Sequence, residues 1–336
     1  MKGKVLTVKR VLPFTLDVPL KAFSHYSVYL AILKMHDINI TTLLLNHFIT
    51  FHFCHLDGFI SYLEERRLRS LFSRNRFPSD IEDPKRFLKK AIDEELYLFV
   101  DLDYAHISTL PFRFHYVHEF LVYGYDDESE VFFASGHILD KKQGMYKLEE
   151  ITISYSDLIL SYQSACKYKK GKHLNYTIRM KKRSIKDRLN VNKIRRDLFL
   201  YSYSILPYIF VYSFNRLSHK MHRRYFIKRT KDGKGFINPV FLKVIQERTT
   251  LFKMLVEKLS IKNELADECF NLYNSATIAL MLAAKYNVKY GASNTNAAER
   301  TETLMKIYGL LECVEKKEFE IVKGLYKVLR KRRKKG

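Results

Sequence analysis

The sequence predicts an α+β protein whose strands gather in the first half and whose second half is helical. Two observations carry this expectation. Between residues 85 and 167 the apolar spacing passes from that of a helix to that of strands and back. Beyond about residue 190 the three- and four-residue spacing of helices runs almost unbroken. No fixed-period repeat is visible, which argues against a solenoid.

Ser24 to Lys34 is expected to be a helix, because Tyr26, Tyr29, Leu30 and Leu33 recur at helical steps behind a serine suited to capping. Asp83-Pro84 is a start signal for a helix over Lys85 to Glu94. Leu96 to Leu102 is expected as a strand, Phe114 to Tyr123 and Val131 to Ala134 as two strands flanking the turn GYDDES, and Tyr146 to Ile153 as a fourth. Tyr155 to Lys167 returns to helix. The later helices are placed at Val191 to Tyr203, Pro207 to Lys220, Pro239 to Leu259, Glu264 to Tyr286 and Asn296 to Lys331. The basic stretch KYKKGKHLNYTIRMKKRSIKDR divides the two regions. The expected organisation is therefore a first domain over 1–167, a basic connecting segment over 168–190, and a helical domain over 191–336 with a basic tail.

A chain of 336 residues has ample material for a packed core. Lys and Arg total 59 against 36 Asp and Glu, a net charge of +23, so acidic partners are favoured. An acidic carrier protein or peptide synthetase fits that charge, and so does non-specific nucleic acid; no helix-turn-helix, zinc finger or RNA-binding signature accompanies the basic runs. The four cysteines form no CxxC pair, which argues against a zinc module or a disulfide framework. Cys54 lies beside His52 and His55, but three such residues in one strand-like run do not face one ion, and neither metal nor cofactor is expected. Lys9 and Arg10 precede any apolar run, and ATIALMLAA at 276–284 is far short of the roughly 20 residues that cross a bilayer. A cytoplasmic protein with no membrane span is expected.

Two segments have the residue types that acyl transfer needs: a nucleophile at a helix N-terminus and a strand histidine well downstream. KAFSHYSVYLAIL at 21–33 opens a helix, and HEFLVYGYDD at 118–127 supplies His118. By its residues alone, His118 is an ordinary hairpin histidine and Ser24 a helix cap. FVDLDYAHIS, HYVHEFLVYGYDDESEVFF, ITISYSDLILSY and LNVNKIRRDLF together resemble the butirosin-biosynthesis-protein-H-like family, whose N-terminal domain is papain-like and related to the C39 peptidases. The resemblance implies a papain-like domain with an antiparallel sheet, acyl transfer through a cysteine–histidine–aspartate triad, and a place in bacterial peptide or antibiotic-type secondary metabolism. His118 fits the family's histidine. The sequence departs at the other two positions. Ser24, or Ser27 in the less favoured register, stands where the cysteine would be, and Ser135 or Gly136 where the aspartate would lie. Asp103 and Asp126 are the candidate replacement carboxylates, Asp126 reading better as a turn residue. The catalytic set expected is Ser24 as nucleophile, His118 as base and Asp103 as orienting acid, in a protein whose catalysis is altered or lost. A non-catalytic scaffold of the same fold is the alternative.

Overall fold

In a computed structural model, the structure describes residues 8–48, 51–54, 59–62, 65–78, 81–110, 114–140, 145–169, 175–181, 188–203, 212–214, 237, 239–261, 264–290 and 297–333. These residues form a mixed structure of helices and an antiparallel sheet, followed toward the C-terminus by helices. The chain folds as two units, each assembled from separate segments: residues 1–38, 68–139 and 147–185 in the first, and 39–67, 140–146 and 186–336 in the second.

The first unit is built on a sheet with strand order β4-β9-β5-β6-β7-β8: β4 Phe72–Arg76, β9 Tyr176–Met180, β5 Tyr97–Asp103, β6 Val117–Asp126, β7 Val131–Asp140 and β8 Met145–Ser154. A short strand β1, Lys9–Val11, pairs with the far end of β6. The pairings β4–β9, β9–β5, β5–β6, β6–β7 and β1–β6 are all antiparallel. The long hairpin β6–β7 turns at 127–130, beginning in the second half of the expected GYDDES stretch, whose first three residues belong to β6. The Asp126 carboxylate accepts bonds from the Glu128 and Ser129 amides at 3.0 and 3.4 Å and so shapes the turn itself.

Helix α1, Ser24–Met35, begins one residue after Phe23, which holds the cap position. Tyr26 and every residue from Val28 to Leu33 are fully buried. A helix buried all round is a core element and not a surface amphipathic one. Its N-terminus is fixed at Ser27, whose hydroxyl donates to the Phe23 carbonyl at 2.6 Å. Helix α4, Pro84–Asp93, starts as the sequence signalled: Asp83 accepts the Arg86 amide at 3.0 Å, with proline in the first turn. Helix α5, Tyr155–Lys169, packs on β5.

The second unit contains α2 (Ile40–His47), α3 (Glu65–Ser70, of which the last residues belong to the first unit), α6 (Val191–Tyr203) and three long helices, α7 (Pro239–Lys258), α8 (Glu264–Tyr290) and α9 (Ala297–Arg333). Helix α7 packs on α8, α8 on α9, and α9 on α6. A small antiparallel sheet, β10-β2-β3, joins Tyr212–Phe214 to Phe51–Cys54 and Phe59–Tyr62. The helix expected over 207–220 is thus corrected at Tyr212–Phe214, which is a strand; the rest of that stretch lies outside the described residues. The core of the bundle holds an ion pair. Arg248 on α7 meets Glu318 on α9 at 2.8 Å, Tyr201 on α6 donates to the same carboxylate at 2.6 Å, and the guanidinium sits 4.5 Å from the Tyr201 ring centre. All three are buried. Removing one partner strands a charge in the interior, a loss of about 3–5 kcal/mol, so this triad fixes how three helices meet more than it adds stability. Among the described residues no helix is long and apolar enough to cross a membrane.

Candidate functional site

Strand β5 ends on Asp103 and β6 begins at Val117, with register partners Leu102 opposite His118 and Asp103 opposite Val117. Side chains alternate along a strand, so Asp103 and His118 leave this pair on opposite faces. Asp103 therefore does not orient His118, and its expected role beside that histidine is corrected. It orients a different one. Asp103 Oδ2 lies 2.7 Å from His115 Nδ1 and accepts the Ser164 hydroxyl at 2.7 Å, while Oδ1 accepts the Ala105 and Tyr116 amides, each at 3.1 Å.

Three of these four bonds come from the connection between β5 and β6, and the fourth comes from a helix. Asp103 caps the 3₁₀ turn Tyr104–His106 that follows β5, and Tyr116 is the residue just before β6, so one carboxylate ties together both ends of the connection. Ser164 comes from α5, whose Ser161 hydroxyl also donates to the Asp103 carbonyl at 2.8 Å. Burial by itself raises the Asp103 carboxyl, but bonds from His115, Ser164 and the two amides outweigh it and hold the group below the ordinary range. A buried, ionised carboxylate thus grips an imidazole whose side chain is 62% exposed. His115 also lies nearly parallel to Tyr168, 6.5 Å between ring centres, and 5.9 Å from the His106 ring.

The second constellation surrounds His118. Its ring lies 5.8 Å from Tyr116, 6.5 Å from Tyr104 and 6.1 Å from His137, between ring centres. Its Nδ1 is 3.7 Å from the neighbouring Glu119 carboxylate. His137, on β7, is buried, and its Nε2 donates to the Lys21 carbonyl at 2.7 Å; Tyr104 in turn donates to the His137 carbonyl. Lys21 lies three residues before the start of α1. The His118 ring is therefore one imidazole away from the chain that leads into this helix. Ser24 is the first residue of α1, and its side chain lies outside the described residues. Ser27 is described, and its buried hydroxyl is committed to a backbone carbonyl.

The positions expected to hold the family's aspartate are filled tightly. A Cβ built on Gly136 would stand 2.5 Å from two ring carbons of the buried Phe120, and Ser135 beside it is buried. The side chains of His52, Cys54 and His55 lie outside the described residues.

Sequence reasoning overlooked His106, His115 and His137. Alternation supplied one usable signal, since a hairpin that sets Leu102 against His118 turns Asp103 toward the other face. His137 carried no signal at all, being brought in only by the β6–β7 pairing. No family model matches the chain, and no curated protein matches it.

Proposed function

We propose that this chain is a divergent acyltransferase- or peptidase-like protein of the papain-like type, with an acyl-transfer site where the approach to α1 meets the ends of β6 and β7. The observation that supports the reading is the bond from His137 to the Lys21 carbonyl, with the His118 ring tilted against that of His137 at 6.1 Å between centres. It links a buried helix that opens on Ser24 to a strand histidine some ninety positions downstream, the pairing on which papain-like chemistry depends. In this proposal His118 takes the proton from the Ser24 hydroxyl as the acyl carbon is attacked, then returns it to the leaving group; amides at the start of α1 hold the oxyanion. Serine is a weaker nucleophile than a thiolate, and among the described residues no buried carboxylate stands behind its base, so turnover is slow. The acyl donor suited to a chain of net charge +23 is an acidic carrier protein.

Hydrolysis of an activated ester such as p-nitrophenyl acetate tests this. Ser24→Ala and His118→Ala should each lower the rate by about 10²-fold or more. Unchanged hydrolysis in both variants would contradict the site. One observation favours the alternative, a partner-binding scaffold without catalysis: the space at Gly136 is taken by Phe120, so no carboxylate side chain fits there.

A further inference from the structure

Asp103, His106 and His115 bring one carboxylate oxygen and two imidazole nitrogens within 4.8 Å of one another. We propose that these three residues bind a divalent transition-metal ion of the zinc or cobalt type. Two imidazoles with one carboxylate favour such an ion over magnesium or calcium, which seek oxygen ligands. The site is built and not merely a chance meeting of side chains. The Asp103 carboxylate is wholly buried and held in place by the Ala105 and Tyr116 amides and the Ser164 hydroxyl, the kind of outer bonding that fixes a ligating carboxylate. The 3₁₀ turn capped by Asp103 sets His106 three residues away on the same rigid segment. The face of Tyr168 lies alongside His115.

The surroundings suit a cation despite the basic chain. Asp157 is a further acid beside the same segment, its carboxylate accepting the Ser108 amide two residues beyond His106 at 2.8 Å. His115 faces solvent, so an ion can reach the cluster, and its outer side is left to water or a substrate group, as in sites with three protein ligands. The contact now joining His115 Nδ1 to Asp103 Oδ2 runs through a proton; a metal ion takes that proton's place, and the proton leaves to solvent. The proposal does not depend on the acyl-transfer reading, since Asp103 and His118 lie on opposite faces of the β5–β6 pair.

Calorimetric titration of the untagged, full-length chain with ZnCl₂ tests it, with visible absorption on adding Co²⁺ as a second readout. The expected result is about one Zn²⁺ per chain and, with Co²⁺, ligand-field bands of an imidazole–carboxylate site. His106→Ala and His115→Ala should each weaken binding by at least about tenfold. His36→Ala, which removes an exposed imidazole at the end of α1, should leave it unchanged. His115 is largely exposed, and circular dichroism checks that its substitution keeps the fold. Absence of Zn²⁺ binding by the parent chain, or equal affinity in His115→Ala, would overturn the proposal.

Discussion

At the scale of single residues, the connection between β5 and β6 owes its shape to Asp103, which answers two amides, a hydroxyl and an imidazole at once. Such a carboxylate is not visible as special in the sequence, where DLDYAHIS offers two aspartates of similar setting. The difference lies in what they meet: Asp101 pairs with Lys169 at 2.8 Å, whereas Asp103 meets His115. Asp126 was legible, because an aspartate opening a polar turn between two strands has few other uses. Gly136 was noticed only as a departure from a family pattern, and its physical reason is steric. Gly136→Ala should destabilise the protein by about 1–3 kcal/mol, because the added methyl meets the buried Phe120 ring, for which the packed core has little free space. Thermal or denaturant unfolding of the variant checks this, and an unchanged midpoint would mean that the ring moves aside freely.

At the scale of elements, legibility followed length and strength of pattern. Helices α4 to α9 were placed within a few residues, because each has either a cap signal or many turns of consistent spacing, and the hairpin β6–β7 was recognised although β7 runs six residues past the expected Ala134, to Asp140. The short strands β1, β4 and β9 and the helix α2 were not placed, since three to eight residues give periodicity little to act on. Tyr212–Phe214 was misplaced in a helix although its aromatic neighbours suit a strand; pairing with β2 decides the matter. One polar cluster ties several elements of the first unit. Asp127, in the hairpin turn, accepts from Lys89 on α4 at 2.6 and 2.7 Å and from the Tyr155 hydroxyl at the start of α5 at 2.7 Å. Burial alone would raise its carboxyl, but Lys89 and Tyr155 hold it below the ordinary value. A carboxyl depressed in the folded state contributes stability above its unfolded pKa, and that contribution is lost as pH falls through the lower, folded value. Asp127→Asn should therefore lower stability at pH 7 by about 1.5–3 kcal/mol. The gap to the parent chain should close as the pH drops below about 4. Denaturant titrations at several pH values measure this, and a gap that stays constant down to acid pH would contradict the assignment.

At the scale of the whole molecule, each unit draws on segments far apart in sequence. Strand β9, after residue 175, sits between β4 and β5, and β10, after residue 211, completes a sheet begun near residue 51. Non-local pairing of this kind leaves little trace in local spacing, whereas the mixed α+β character of the chain and its C-terminal helices were plain from the change of period. The same non-local logic underlies the proposed acyl-transfer site, which requires that Ser24 and His118 share a groove. The direct measurement is the reactivity of a thiol introduced by Ser24→Cys, compared with the parent chain to subtract the native cysteines. A thiol beside an imidazole at a helix N-terminus is ionised well below the ordinary cysteine range. The account predicts rapid alkylation by iodoacetamide at about pH 6, abolished when His118→Ala is added. Alkylation at the rate of a free thiol, indifferent to His118, would contradict it.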